Sequence, residues 1–322
     1  MLLRSMVDLG RPRRSRGALS YVHVPQIHVT YPASRPWQSH GRFERYALWP
    51  NAGSGLTFDL DHWTAYYQFT DPSVSISFVG DKQLLSDERA LWRIFVCKGG
   101  LALPSSRGSL QANAGDFIIG TCPESTWLDG NFEPNTTLIV KRTRAPGGRR
   151  ALQVNRALGR KFLPYFYGHG KTDRFRSALL SGNPFGRDGD ATVLVSFPNG
   201  TIASSHYHDS PIFHEFIYVA GGHLTPDGVY ATGDHVTSIP GCKEGPWLAT
   251  HDFEGAKLPE GWPEYARSRS REPIVAPWPN PFGDSSASRV FGLLFVHWGP
   301  FLSPMLGVNW TKLSPGELGP RG

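Results

Sequence analysis

His206 and His208 stand two apart in the stretch GTIASSHYHDSPIFHEFIYVAGG, and Glu215 follows seven residues after His208. In an extended chain, side chains two apart project from one face. Asp209, Ser210 and Pro211 mark a turn, and FIYVAGG reads as a returning strand. A hairpin of that form carries Glu215 back opposite the two imidazoles. Two imidazoles and a carboxylate, with coordination positions left open, suit Fe(II), Mn(II), Ni(II) or Zn(II). The chemistry then available is oxygen chemistry beside an oxygenated substrate, or Lewis-acid-assisted proton transfer. An HxH pair alone is a weak signal. Its combination with Gly200, Glu215 and Gly222 at these spacings arises by chance in roughly one chain in five thousand.

Other residues compete for places in such a site. His214 sits beside Glu215, so on a strand it projects to the opposite face, outside the converging set. His235 in GDHVTSI and His251 in ATHDFEG can each supply a third imidazole or a general base if a loop folds inward. His297 can line the same cavity from a late strand. Trp247 is expected near the mouth, and the other tryptophans in the core or at the rim.

Strands must hold these residues. Residues 64–69 (TAYYQF) and 74–78 (VSISF) are rich in β-formers and bounded by turn residues. RIFVCKGGLAL, from Arg93, reads as strand, Gly-Gly turn and strand, and SLQANAGDFIIG as a strand pair punctuated by Gly-Asp. Residues 137–140 close this first series. A second begins at ATVLVSF (191–197), continues through HEFIYVAGG and GDHVTSIPG, and ends at RVFGLLFVHW (289–298). Residues 143–190 break the pattern and read as a linker with a short helix near 174–180. Residues 255–286 are Pro-rich and read as a long loop over the second unit. The expected organisation is a basic tail over 1–20, a first β unit over 21–145, a linker over 146–190 and a second β unit over 191–322.

The pattern Gly200-x5-His206-x-His208-x6-Glu215-x6-Gly222 resembles the first motif of the cupin superfamily, with a gap two residues longer before the glutamate. Gly233-Asp234, Ile239-Pro240-Gly241 and Glu244 keep the spacing of the second motif. Ile239 stands where proline is usual, and Glu244 where a third histidine ligand is usual. In the first half, Gly115-Asp116-Phe117-Ile118-Ile119 resembles a second motif whose ligand position is Thr126, and no HxH precedes it. The resemblance implies an all-β fold of two tandem cupin barrels (double-stranded β-helix, or jelly roll). It implies one divalent metal, held only in the second barrel by His206, His208, Glu215 and Glu244. Glu244 is then a fourth ligand or the base that deprotonates the substrate, with His251 a second catalytic candidate.

Metal in the second barrel is similar to homogentisate dioxygenase. HYHDSPIFHEF and KEGPWLATHDFEGA are similar to stretches of that family, with Glu244 replacing a histidine. That likeness implies an Fe(II) oxidoreductase, a dioxygenase with O₂ and a small aromatic or enolic molecule as substrates. The same site can serve a metal-dependent lyase or isomerase. Cupins also include non-enzymatic small-molecule binders, and the fold alone does not decide among these.

Composition narrows the remaining classes. The chain has 322 residues, 39% of them hydrophobic, enough for two domains with real cores. Arg4, Arg11, Arg13, Arg14 and Arg16, against Asp8, supply most of the net charge of +6. The second basic cluster, Lys141 to Lys161 with Arg149 and Arg150, lacks interleaved aromatics and reads as a solvated linker. No nucleic-acid partner is therefore expected. No apolar run reaches the length of a transmembrane helix, so no membrane association is expected. Cys97, Cys122 and Cys242 form no CxxC pair and no disulfide framework, which fits a reducing cytoplasm. The sequons at Asn135, Asn199 and Asn309 then carry no glycan. A homo-oligomer is compatible with all of this.

Overall fold

The computed structural model describes residues 27–30, 38–39, 43–49, 63–70, 89–105, 108–145, 148, 150–164, 175–182, 190–207, 213–226, 228–238, 243–267, 274 and 276–297. Among them, strands dominate, with one short α-helix at Glu124–Leu128. None of the described helices is long and apolar enough to cross a membrane. The basic tail, residues 74–78, His208, residues 239–242 and Trp298 lie outside the described residues.

Two seven-stranded antiparallel sheets carry the architecture. The first runs Gln153–Arg156, Asp116–Cys122, Ala90–Lys98, Thr136–Arg144, Trp63–Phe69, Phe43–Trp49, Gln38–Ser39. The second runs Ile27–Thr30, His235–Ser238, Phe213–Ala220, Arg289–His297, Asp190–Pro198, Arg176–Gly182, Leu163–Pro164. Each closes over its own inner core against a smaller sheet. In the first, Ala65, Tyr67, Trp92, Ile94, Leu138 and Val140 pack on Leu101, Leu103 and Phe132. In the second, Val193, Val195, Leu294 and Val296 pack on Ala203, Trp247 and Ala249. The central strands are apolar on both faces, because the outer faces of the two large sheets also pack on each other. Tyr66, Phe95, Phe117 and Ile139 of the first meet Leu194, Ile217, Leu293 and Phe295 of the second. An apolar interface of this kind holds two units as one body.

The unit boundaries differ from those read in the sequence. Ile27–Thr30 lies at the edge of the second barrel's sheet, pairing with His235–Ser238. Gln153–Arg156, expected in the linker, pairs with Asp116–Cys122 of the first barrel. Ile27–Thr30 thus crosses to the second barrel, whereas Gln153–Arg156 extends the first barrel's own sheet. The helix expected near 174–180 is the strand Arg176–Gly182, paired with Asp190–Pro198. Local Ala-Leu-Leu helix preference yields there to a long antiparallel ladder. The excursion after residue 250 does cover the second barrel. Phe253, Leu258 and Trp262 pack on Leu224, Val229 and Leu248, while Trp278 and Phe282 reach the core between the barrels.

The two Gly-Asp signatures adopt one turn. Asp116 Oδ2 accepts from Asn113 N at 2.9 Å, and Asp234 Oδ2 accepts from Ala231 N at 2.6 Å. The preceding glycines take φ of +87° and +91°. The shared geometry marks a structural duplication that sequence identity between the halves no longer shows. Asp234 is buried, so its replacement by alanine strands an amide donor away from water. Asp234→Ala is expected to cost about 1–3 kcal/mol, read from the urea unfolding midpoint.

Candidate functional site

The strand Phe213–Ala220 decides which residues face the interior of the second barrel. Phe216 and Tyr218 point inward. Tyr218 Oη lies 2.8 Å from His223 Nδ1, and the Phe216 ring is 4.8 Å from that of Tyr218. His223 stacks on Trp247 with ring centroids 4.0 Å apart, and Phe197 meets both. A Cβ on Gly292 would fall 1.9 Å from Phe216 Cζ, so this interior is filled with aromatic rings. Trp247, expected at the mouth, is instead part of this packed floor.

The alternate residues, Glu215, Ile217 and Val219, point the other way, toward the first barrel. Ile217 and Val219 belong to the core between the barrels. Glu215 is fully buried beside them. Lys141, on Thr136–Arg144 of the first barrel, donates from Nζ to Glu215 Oε1 in a very short ion pair. His235 Nε2 lies 3.0 Å from Glu215 Oε2. Both carboxylate oxygens are therefore engaged at the interface. The expectation that Glu215 converges with His206 inside the barrel is not met, because a strand presents alternate residues to opposite faces and this one takes the outer face. His235 is drawn to the same interface and is not a third imidazole of the barrel interior.

Other expected residues do meet. His206–Tyr207 and Lys243–Glu244 form a short antiparallel pair in which His206 is the direct partner of Glu244. Directly opposed positions on such a pair share one face. Ala203 and Ile202 pair with Trp247 and Leu248 in a separate sheet, and residues 204–205 and 245–246, with a cis Gly245-Pro246 bond, interrupt the pairing between the two. His251 is not brought to positions 206 and 244. It lies seven residues beyond Glu244, about 20 Å along an extended chain. There its Nε2 donates to the Arg289 carbonyl at 2.8 Å and its ring packs against Gly221. His251 is held there by a structural contact.

The architecture was compared with known proteins. No protein-family model matches the chain, and no curated protein does. Solved structures match over nearly its whole length. A provisionally assigned glyoxylate-induced protein from Pseudomonas aeruginosa is 13% identical, with 88% of this chain and 93% of that one covered at a TM-score of 0.50. A provisionally assigned dioxygenase from Nostoc punctiforme is 9% identical, with 92% and 90% covered at a TM-score of 0.52. The fold is that of a bicupin. The bacterial pirin YhhW of Escherichia coli, solved with nickel(II), is 12% identical and covers 85% of this chain at a TM-score of 0.47. Homogentisate dioxygenase does not figure among these likenesses.

A metal site would need histidine and carboxylate side chains that converge. Among the described residues, no three His, Cys, Asp or Glu side chains form such a group. At Glu215 the donor chemistry does not fit a metal, because Lys141 and His235 already engage the carboxylate. In the first barrel the helix Glu124–Leu128 occupies the ligand end. Trp127 is fully buried against Trp92 and Tyr67, with centroids 5.5 and 5.3 Å away. Tyr67 Oη donates to Glu124 Oε1 at 3.0 Å. Thr126, at the expected ligand position, lies within this helix. Trp127 thus fills this end of the first barrel.

Both described cysteines, Cys97 and Cys122, are buried. Cys97 lies in the core between the barrels, where burial pushes its thiol well above the ordinary range. Burial raises Cys122 to about 11. Neither presents a thiolate at neutral pH. Peptide mapping after iodoacetamide treatment of the folded protein should find both unmodified, and after unfolding should find both alkylated.

Proposed function

We propose that this bicupin is a metal-dependent dioxygenase whose working centre is the second barrel, acting on a small aromatic or enolic molecule. The reading rests on the register that pairs His206 with Glu244 in a short ladder of the second barrel. His206, His208 and Glu244 would hold one divalent metal, with Fe(II) favoured. The bound metal supplies the means to bring O₂ and an oxygenated substrate together and to move charge between them.

The chain's own residues then perform the remaining tasks. The Glu244 carboxylate brings negative charge that neutral imidazoles lack, which favours a dication over bulk water. A carboxylate at that position can also accept the proton that a phenolic or enolic hydroxyl gives up on binding. The ring-lined interior excludes water and offers flat surfaces on which a planar substrate keeps a fixed orientation.

Metal analysis of protein purified without added metal, followed by O₂ uptake with a panel of catechols, hydroquinones and 1,3-dicarbonyls, tests this reading. Stoichiometric iron and substrate-dependent O₂ consumption are expected. Anaerobic turnover would replace the oxygenase with a lyase or isomerase on the same residues. Absence of bound metal and of any turnover would leave a binding protein.

A further inference from the structure

We propose that Tyr218, His223 and Tyr230 form a proton-coupled relay that carries an oxidising equivalent from the interior of the second barrel to its surface. Its use rests on the oxygenase reading. Where O₂ is reduced and no substrate is consumed, an oxidant of the hydroxyl-radical class is left inside the barrel, and the relay discharges it at a tyrosine that solvent reaches.

Three strands set these rings in line. Tyr218, on Phe213–Ala220, brings Oη to 2.8 Å from Nδ1 of His223, which lies on Gly222–Thr225. His223 is the direct cross-strand partner of Tyr230, so the two share a face. Tyr230 ends Gly228–Tyr230, the last strand of that small sheet. Tyr218 and His223 are buried, whereas Tyr230 is half-buried. The two phenol rings are 6.1 Å apart.

The packed interior is closed to molecules but not to electrons. A phenol loses one electron far more readily than the phenyl rings of Phe197 and Phe216 beside it, provided that its proton has somewhere to go. The neutral imidazole of His223 is that acceptor. The imidazolium that results lies flat against the Trp247 indole, with centroids 4.0 Å apart and planes 5° from parallel. An indole face stabilises a cation held away from water.

The steps balance. The oxidant takes one electron from Tyr218 and, with a proton from solvent, leaves as water. The Tyr218 Oη proton passes to His223 Nδ1, which gives a neutral phenoxyl and an imidazolium. Tyr230 then returns one electron to Tyr218, His223 returns the proton, and the Tyr230 proton goes to water. A thiol or ascorbate in solution supplies a hydrogen atom to the Tyr230 phenoxyl.

The test replaces oxygen chemistry with light, so its failure is separate from failure of the oxygenase reading, which O₂ uptake decides. The full chain is flashed with tris(bipyridyl)ruthenium and persulfate, then frozen for electron paramagnetic resonance. Oxidation from solution enters at the exposed end, and the relay runs inward through the same contacts. The parent should give a tyrosyl radical whose lines narrow in D₂O, because the His223 proton is hydrogen-bonded to the phenoxyl. Tyr218→Phe should lose this signal, and Tyr230→Phe should cut its yield several-fold. Thermal melting shows whether Tyr218→Phe is folded; where it is not, Tyr230→Phe decides alone. The relay is overturned by a parent without the D₂O-sensitive radical, by its survival in folded Tyr218→Phe, or by an unchanged yield in Tyr230→Phe.

Discussion

Lys141→Met should lower the unfolding free energy by about 3–5 kcal/mol, and adding Glu215→Leu should restore most of that loss. Lys141 and Glu215 are essentially inaccessible to water, and they come from different barrels. Removing the ammonium leaves a buried carboxylate with His235 as its other interface partner. The large cost is that of the orphaned charge rather than the net worth of the pair. Removing both charges leaves a site already surrounded by Phe295, Ile217 and Ile139, where apolar side chains of similar size pack well. Urea unfolding of the parent, both single variants and the double variant measures the coupling, which should exceed about 2 kcal/mol. Additive single effects would show that the pair is not the contact described. The same cycle asks what the plugged barrel contributes, since Lys141 is its charged contact with the strand that carries positions 214 and 215.

The all-β class, the two units and most strands were legible in the sequence because alternation and turn residues are local signals. Gly-Asp at 115–116 and 233–234 announced the duplication, and the turns they form are the same. What sequence could not give was which face of a strand is the interior. The central strands here are apolar on both sides, one toward the barrel and one toward the partner barrel, so hydrophobic alternation carries no sign. At Phe213–Ala220 that ambiguity coincides with tandem glycines, Gly221-Gly222, which fit the motif spacing equally well one residue apart. A slip of one exchanges His214 for Glu215. The partner that resolves it, Lys141, lies 74 residues away in another barrel, beyond any local pattern. The placing of two short strands was hidden for a similar reason. Ile27–Thr30 and Gln153–Arg156 are four residues each, too short for periodicity to say which sheet they join.

The second large effect concerns how many metals the protein holds and where. Protein loaded with excess Fe(II) and desalted should retain one metal per chain, and the double change His206→Ala, His208→Ala should abolish retention. Two barrels of one fold might each be expected to bind, but their interiors differ in kind. In the first, the helix Glu124–Leu128 lies at the ligand end, Trp127 fills the interior, and Glu124 is held by Tyr67. Seating a metal there would require expelling an indole from a core of Trp92, Tyr67 and Leu103, at a cost of several kcal/mol before any coordination. In the second, rings also pack the described interior, but His206 and Glu244 of the sequence motifs pair in a short ladder. One remaining carboxylate does not hold a first-row divalent ion against desalting, so the double variant should emerge empty. Elemental analysis gives the answer directly. A retained equivalent in the double variant, or two equivalents in the parent, would move the metal out of the site bounded by positions 206 and 244.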